Sequence, residues 1–531
     1  MGSEQVGAAR RWWGLAVLGF GVALVVVDIT IVNVAMPRIV ANLDLEIADA
    51  EWINAAYVVV FATFLITLGR LGDAWGRRRL FVTGIVVFLV ASVLAGGTGS
   101  LGGLVGARAL QGLGAAMILP ATLASVNATF RGRERAIAFG IWGSMIAGMA
   151  AVGPLVGGWL ATTFSWRWVF YVNVPLALVT LVAALLLVTE TREERAATGF
   201  DTLGFVTASV GFFGLVTGII EGPRYGWLTP TRLFEVGGWS WPSTAVSMVP
   251  VAFAVGATAL VAFVYVEIRR ARLGRVVLFD MRLFRLRSFR HGNVLVTLVG
   301  LGEFGIVFVV PLYLQTVLRL SALQTGVLLL AMAAGGFIGG PLAAFFARRY
   351  GPRQVVTLGM GVEAVGALGM ALLLSPTHLV GAIAFVLFMY GVGIGLTSSQ
   401  LASVILAEVS PGDSGQASGM QSTFRQVGAA LGIAILGTVF ITAMSSLSGD
   451  RLGDIVGLTV GQRTRIVDSV ADSAGWYIEA LRAWTPDFRP VVTAVAGSIT
   501  DAARFAAATA GSFFAVGMLL SRRLPDIMRD R

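Results

Sequence analysis

The chain has 531 residues, of which 56% are hydrophobic and 13% charged, with a formal net charge of +10, a mean hydropathy of +0.82 and no cysteine. A soluble globular domain carries about 25% charged residues, and the lack of cysteine excludes a disulfide scaffold, a thiol nucleophile and a cysteine-ligated metal. With only two histidines, His291 and His378, a histidine-built metal or haem site is also disfavoured, so the composition points to a membrane protein without metal or cofactor.

All 39 basic residues are arginine, and most of them fall in short stretches between apolar runs. This is an orientation signal rather than a polyanion footprint, and no nucleic-acid partner is expected. A spanning helix needs about 20 mostly apolar residues to cross a hydrocarbon core about 30 Å thick. By that measure runs occur near 12–36, 50–69, 80–98, 101–123, 136–162, 168–188 and 203–221, then near 244–266, 291–315, 322–347, 354–375, 377–407, 414–444 and 502–521. Fourteen helices are therefore predicted. The first run lacks a small-residue cleavage pattern and reads as a retained span.

Assigning the connecting stretches alternately to two sides sorts the arginines. One side holds Arg77–Arg79, Arg131, Arg133, Arg135, Arg192, Arg195, the run from Arg269 to Arg290, Arg348, Arg349, Arg353 and the arginines of the tail. The first opposite loop is acidic, with Asp44, Glu46, Asp49 and Glu51. Both termini are thus expected in the cytoplasm of a bacterium, with an inner-membrane, multi-pass chain. The stretch of about 445–500 is the one long outer segment, read as an amphipathic surface helix and a possible docking place for a partner.

Gly69-Arg70-Leu71-Gly72-Asp73-Ala74-Trp75-Gly76-Arg77-Arg78 closes the second helix, and Gly340-Pro341-Leu342-Ala343-Ala344-Phe345-Phe346-Ala347-Arg348-Arg349 closes the tenth. They align without gaps at Gly, Leu and the Arg pair. Such a repeat suggests two six-helix bundles about an axis along the membrane normal, with a substrate site at the midplane between them. The expected organisation is a bundle over 1–200, an inserted helix pair over 201–275, and a second bundle over 276–531 that carries the outer segment.

Four motifs carry a resemblance to the major facilitator superfamily, and within it to the fourteen-helix drug/proton antiporters. They are Asp28 through Pro37 in the first helix, Gly69 through Arg79 in the loop, Arg108 through Gly114 in the fourth helix, and Gly143, Gly148, Gly153-Pro154 and Gly157-Gly158 in the fifth. Shorter similar stretches are Trp166-Arg167-Trp168, Asn173-Val174-Pro175, Pro311 through Gln315 and Gly415 through Gln426. The resemblance spans nearly the whole chain. It implies an all-α polytopic fold, no enzyme activity, and export of small lipophilic compounds, cationic or amphipathic, in exchange for protons. It also implies that the first-helix acid carries the proton and that the fourth-helix Arg takes part in coupling.

The residues themselves agree with that chemistry. Asp28 lies about two thirds along the first helix, where an ionised carboxylate costs several kcal/mol unless paired or wetted. Burial and a nearby cation pull its proton affinity in opposite senses, so a small structural change loads or releases a proton. Arg108, deep in the fourth helix, is the expected cation. A purely structural ion pair is the alternative. Glu303, inside an apolar ninth helix, is either a second proton site, a counter-ion for substrate, or a structural acid bonded to a neighbouring helix, and Glu363 in the eleventh leans to the last.

In the loop, Gly69 and Gly76 permit tight turns, and Asp73 is placed to accept hydrogen bonds from free amides at the helix beginning near Ser414-Gly415. Arg77 and Arg78 hold the cytoplasmic face, and the whole forms a gate. The fifth-helix glycines and Pro154 give a smooth, kinkable surface for sliding. The resemblance associates that motif with export. Substrate contacts are expected from Asn33, Gln111, Phe139, Trp142, Phe304, Phe308 and Arg425, since an aromatic cavity with acids favours lipophilic cations. The rivals are a dedicated exporter of a lipid, siderophore or self-made antibiotic, a proton-driven uptake symporter, and a polytopic membrane enzyme. A monomer is expected.

Overall fold

The computed structural model describes residues 2–45, 47–191, 201–232, 234–236, 239–241, 245–376, 380–455, 457–483 and 489–525. The side chains of Asn33 and Pro154 lie outside the described residues, as do those of Glu46, Asp49, Glu51, Arg133, Arg192, Arg195, Arg529 and Arg531 among the charges used for orientation.

The architecture is helical. The first group comprises α1 (Gly2–Leu43), α2 (Ile47–Trp75), α3 (Arg77–Gly97), α4 (Leu101–Thr129), α5 (Gly132–Thr163), the short α6 (Trp168–Tyr171) and α7 (Asn173–Leu187). Next come α8 (Thr202–Tyr225), a two-residue antiparallel pair β1 (Glu235–Val236) and β2 (Trp239–Ser240), and α9 (Met248–Arg272). The last group is α10 (Arg287–Thr316), α11 (Ala322–Tyr350), α12 (Pro352–Leu373), α13 (Val380–Ile405), α14 (Ser414–Gly453), α15 (Val460–Asp472), α16 (Tyr477–Arg482) and α17 (Arg489–Leu520). Among the described residues, 13 helices are long and apolar enough to cross a membrane, and the 32-residue α5 stands between the fourth and fifth of them.

Local signals set the ends. Ser100 caps α4 by accepting from Gly103 N at 3.3 Å, and Asp201 caps α8 by accepting from Gly204 N at 2.8 Å. Ser321 and Gln324 form a reciprocal capping box at α11. Gly351, with φ +91°, makes the turn into α12, where Pro352 occupies the first turn.

The same packing pattern occurs twice. In the first group α1 packs on α5 and α2 on α4; in the last group α10 packs on α14 and α11 on α13. The groups meet where the second helix of each lies on the fifth of the other, α2 on α14 and α11 on α5. Glycines allow this approach. A methyl on Gly340 would lie 2.5 Å from the Gly140 carbonyl oxygen, and one on Gly69 would overlap the Gly415 carbonyl. Gly69 and Gly340 are the aligned glycines of the sequence repeat, so each copy supplies one face of a glycine seam. Helix α8 rests against both α2 and α14, beside one of these seams, and α9 packs on α8.

The stretch of about 445–500 is more helical than hydropathy predicts. Helix α14 continues to Gly453 and α17 starts at Arg489, held together by an Arg451–Asp501 ion pair and an Arg451 Nη1 to Ser498 Oγ bond of 3.4 Å. Helices α15 and α16 bury Ile466, Val470, Ile478 and Leu481 in the same core as α10, α14 and α17. These extensions are too polar for a membrane ruler yet keep an apolar stripe at helical period.

Interior packing yields a stability test. A methyl on Gly114 would sit 2.9 Å from both Gly84 O and Phe88 N, whereas one on Gly106 meets nothing within 4 Å. Gly114→Leu should therefore destabilise the protein by about 1–3 kcal/mol through overpacking, read as a lower unfolding temperature in detergent. Gly106→Leu should leave that temperature unchanged.

Candidate functional site

Three clusters of buried charge lie along the α1, α2, α4, α10 and α14 helices. The first is built on Asp28, 0% exposed. It accepts from Arg108 Nη1, from Gln111 Nε2 at 3.0 Å and from Asn173 Nδ2 at 2.8 Å. Arg108, 1% exposed, also donates to Gln111 Oε1 at 2.9 Å and to the Ile53 carbonyl at 3.3 Å, and its guanidinium lies 4.4 Å from the centre of the Tyr57 ring. Gln111 Nε2 reaches Ser92 Oγ at 2.9 Å. Helices α1, α2, α3, α4 and α7 thus contribute to one polar knot in an apolar bundle. A charge at this depth needs full hydrogen bonding, because no water replaces a missing donor.

The second cluster joins Glu303 of α10 to Arg425 of α14. Arg425 Nη2 donates to Glu303 Oε2 at 2.8 Å, and Ser398 of α13 donates to Glu303 Oε1 at 3.3 Å. Both charged residues line a cavity of about 120 Å³ between the two helix groups. Its other walls are mostly apolar, with Val25, Ile29, Phe61 and Trp142 from the first group and Phe304, Val307 and Met332 from the last. Polar walls come from Thr30, Gln421, Ser422 and Gln426. A drug-sized ligand needs about 300–1,000 Å³, so admission of one requires the groups to part.

The third cluster closes the end where α2 meets α14. Asp73, 0% exposed, accepts from Gly415 N at 2.8 Å and Gln416 N at 2.9 Å. These are free amides of the first turn of α14, where a carboxylate is favoured by the helix dipole. Arg77 Nη2 donates to Asp73 Oδ1 and to the Pro411 carbonyl, each at 2.6 Å, so one residue ties both helix groups to the same carboxylate. Asn127 Nδ2 adds a 2.8 Å bond to Ser414 Oγ. Gly76 adopts φ +119°, and Glu190 sits against it, accepting from Arg78 N at 3.1 Å and Arg79 N at 3.3 Å to cap α3. Arg78 itself donates to the Leu185 carbonyl.

The glycines of α5 divide between two neighbours. Gly143 lies against Ser399 of α13, Gly148 against the Phe337 ring and Gly158 near Leu323 of α11. Gly153 and Gly157 instead lie against Thr30 and Ile31 of α1, one turn from Asp28. One helix therefore bears both on the opposite group and on the helix that carries the buried acid.

Of the aromatic candidates, Trp142 and Phe304 line the cavity, while Phe139 and Phe308 are not among its lining residues. Phe139 is fully buried within the first group, and Phe308 packs near Gly437 of α14. Gln111 belongs to the Asp28 knot. Asn173, Tyr57, Ser92, Ser398 and Glu190 complete these sites without having been assigned a role from the sequence. Asn173 lies in a stretch already noted as similar to the antiporters, whereas an isolated Ser92 or Tyr57, a Ser398 within the polar run Thr397 to Gln400, or a loop Glu190 carries no signal of its partner. Glu363 is fully buried beside α13, away from the cavity lining.

Comparison with known proteins places these features. The family described as Major Facilitator Superfamily matches residues 18–433. The multidrug efflux pump LfrA of Mycolicibacterium smegmatis is 34% identical over 88% of this chain and 87% of its own. The tetracenomycin C resistance and export protein of Streptomyces glaucescens is 32% identical over 86% of this chain and 80% of its own. The puromycin resistance protein pur8 of Streptomyces alboniger is 36% identical over 83% and 84%. The fold is similar to the proton:xylose symporter XylE, with a TM-score of 0.58 at 12% identity, covering 98% of this chain and 97% of that one.

Removing the Asp73 carboxylate leaves Arg77, 2% exposed, without its counter-ion, a change that costs about 3–5 kcal/mol in a buried pair. Asp73→Asn should open that end of the α2–α14 seam. With no native cysteine, a cysteine replacing the cavity residue Ala402 should react with a membrane-impermeant maleimide about tenfold faster in this background, measured in inside-out vesicles.

Proposed function

Because this chain belongs to the Major Facilitator Superfamily, a family of membrane transporters, we propose that it exports lipophilic, amphipathic compounds across the cytoplasmic membrane in exchange for protons. The observation that carries this is the pairing of two different acid sites with one seam: Asp28 sealed in the first bundle, Glu303 facing the cavity in the second. The working unit is one chain, since both bundles and the cavity between them come from it. Its parts are a bundle over 1–200, the inserted pair over 201–275, and a bundle over 276–531. The arginine distribution puts both termini in the cytoplasm.

The bonds of Asp73 and Arg77 hold the end assigned to the cytoplasm shut, so the arrangement described is closed to the inside. The cycle runs by rocking of the bundles about the α2–α14 and α5–α11 seams. With the cavity open inward, substrate binds and Asp28 gives its proton to the cytoplasm, its charge then held by Arg108, Gln111 and Asn173. As α5 moves, Gly153 and Gly157 shift against α1 and open the knot to the other side, where substrate leaves and Asp28 regains a proton. The driving force is about 2.3 kcal/mol per charge per 100 mV plus about 1.4 kcal/mol per pH unit.

The cavity supports a substrate class. Its carboxylate is already neutralised by Arg425, leaving an apolar, aromatic pocket with a balanced ion pair. Such a pocket suits amphipaths with extended ring systems, through Trp142, Phe304 and Phe61. A cationic substrate has to take Glu303 from Arg425. Export of a self-made antibiotic is the second reading; the names of the two Streptomyces relatives, a tetracenomycin C resistance and export protein and a puromycin resistance protein, support antibiotics as the cargo. The outer segment buries Ile466, Val470, Ile478 and Leu481 on its own bundle and leaves Val460 and Trp476 exposed.

Two measurements test this. In proteoliposomes under an imposed pH gradient, Asp28→Asn should lower substrate/proton exchange by about a hundredfold, as expected when an essential proton carrier is removed. Normal exchange would refute the coupling assignment, and loss confined to Glu303→Gln would move the carrier to α10. Single cysteines replacing Arg523 and Thr459 should be labelled only from the inside and only from the outside, respectively; the reverse pattern inverts the topology.

A further inference from the structure

A second concavity, of about 800 Å³, lies on the lipid-facing side of the last bundle, between the start of α12 and the end of α17. The two helix ends are joined by a 2.7 Å hydrogen bond between Thr357 Oγ1 and Ser521 Oγ. At its mouth stand Arg353 and Arg522, and no acid lines it. Neither guanidinium has a carboxylate or hydrogen-bond partner among the described residues. Away from the mouth the walls become apolar, with Leu358, Gly361 and Val365 along α12 and Met518 on α17. Leu358 is 49% and Val365 67% exposed, so the groove opens sideways to the bilayer.

We propose that this groove holds one anionic phospholipid of the cytoplasmic leaflet, its phosphate between Arg353 and Arg522 and an acyl chain along Leu358, Gly361 and Val365. The dimensions suit that ligand. From Arg353 to Val365 is about 18 Å at 1.5 Å per residue, and one leaflet of hydrocarbon is about 15 Å deep. Cations at the headgroup level and an uncharged strip below reproduce the polarity profile of one lipid. Gly361 leaves room at the α12 surface, where an added methyl would meet only the Met518 sulfur at 3.1 Å. A transported compound fits less well. The groove shares no lining residue with the central cavity, and α12, α13 and α17 belong to one bundle, so its shape persists while the bundles rock. The ligand is therefore resident. The leaflet assignment rests on the proposed orientation, whereas binding itself does not depend on transport.

The test uses the purified full-length protein, with native mass spectrometry and thermal unfolding in the presence of phosphatidylglycerol, phosphatidylcholine or inorganic phosphate. One phosphatidylglycerol should remain bound per chain and raise the unfolding temperature by several degrees, with phosphatidylcholine about tenfold weaker. Arg353→Gln with Arg522→Gln should abolish that preference while leaving the unliganded unfolding temperature unchanged. Gly361→Leu, which keeps both cations and fills the acyl channel, should weaken binding about tenfold. Equal binding of the two lipids, unaltered binding by both variants, the full shift with phosphate alone, or displacement of the lipid by an exported drug would each overturn the proposal. Labelling of the Arg523 cysteine from outside, with lipid binding intact, would overturn the leaflet and the orientation together but not the transport reading.

Discussion

A carboxylate persists at hydrocarbon depth only where protein donors stand in for water, and that constraint organises this molecule. Asp28 takes three donors from three other residues, and the guanidinium that supplies one of them is itself held by a carbonyl, an amide oxygen and an aromatic face. Because the donors come from α4 and α7, the acid ties the first bundle together from inside. Glu303 solves the same problem differently. Its Arg425 partner stands on the cavity wall, with 18% of its side chain exposed against 1% for Arg108. One pair is sealed and the other borders the cavity, so two acids of the same chain stand in different surroundings.

The seams between bundles add a second constraint. Glycine brings backbones together at Gly69 with Gly415 and at Gly340 with Gly140, giving two contacts related by the internal repeat. The repeat is nevertheless unequal. Asp73 has its counterpart in Ala344, so only the α2–α14 seam carries a carboxylate on free helix amides. A close contact between smooth surfaces resists separation weakly, while a charge on an amide cradle resists it strongly and breaks cooperatively. The asymmetry leaves the charged contact at one of the two seams, beside which helix α8 lies.

Much of this was legible in the linear chain. Arg108 and Gln111 are three residues apart and so share a helix face, and Asp73 stands one turn from Gly69, so their local placement follows from helical period. The partners from other helices were harder. Tyr57 is a single polar residue in an apolar run and Ser398 is one of four consecutive polar residues, Thr397 to Gln400, and nothing in either stretch distinguishes a side chain that reaches another helix from one bonded to its own helix backbone. Phe139 and Trp142 lie one turn apart and read alike, yet only Trp142 reaches the cavity, because the rotation of α5 is set by glycine contacts on two of its sides. The end of α14 and the start of α17 escaped the hydropathy measure for a different reason: they carry polar side chains, and an ion pair joins them where they pack on each other.

By itself, then, the amino-acid order determined roughly how many apolar segments there are, that the chain repeats, and which ionisable groups lie within those segments. These are local properties, readable from residue type and helical period. Only the tertiary structure decided that Glu303 is neutralised by Arg425, that Asp28 is closed off from the cavity, and that two arginines head a lipid-facing groove. Those outcomes depend on how each helix is rotated about its axis, and that rotation is chosen by side-chain and glycine packing between segments hundreds of residues apart.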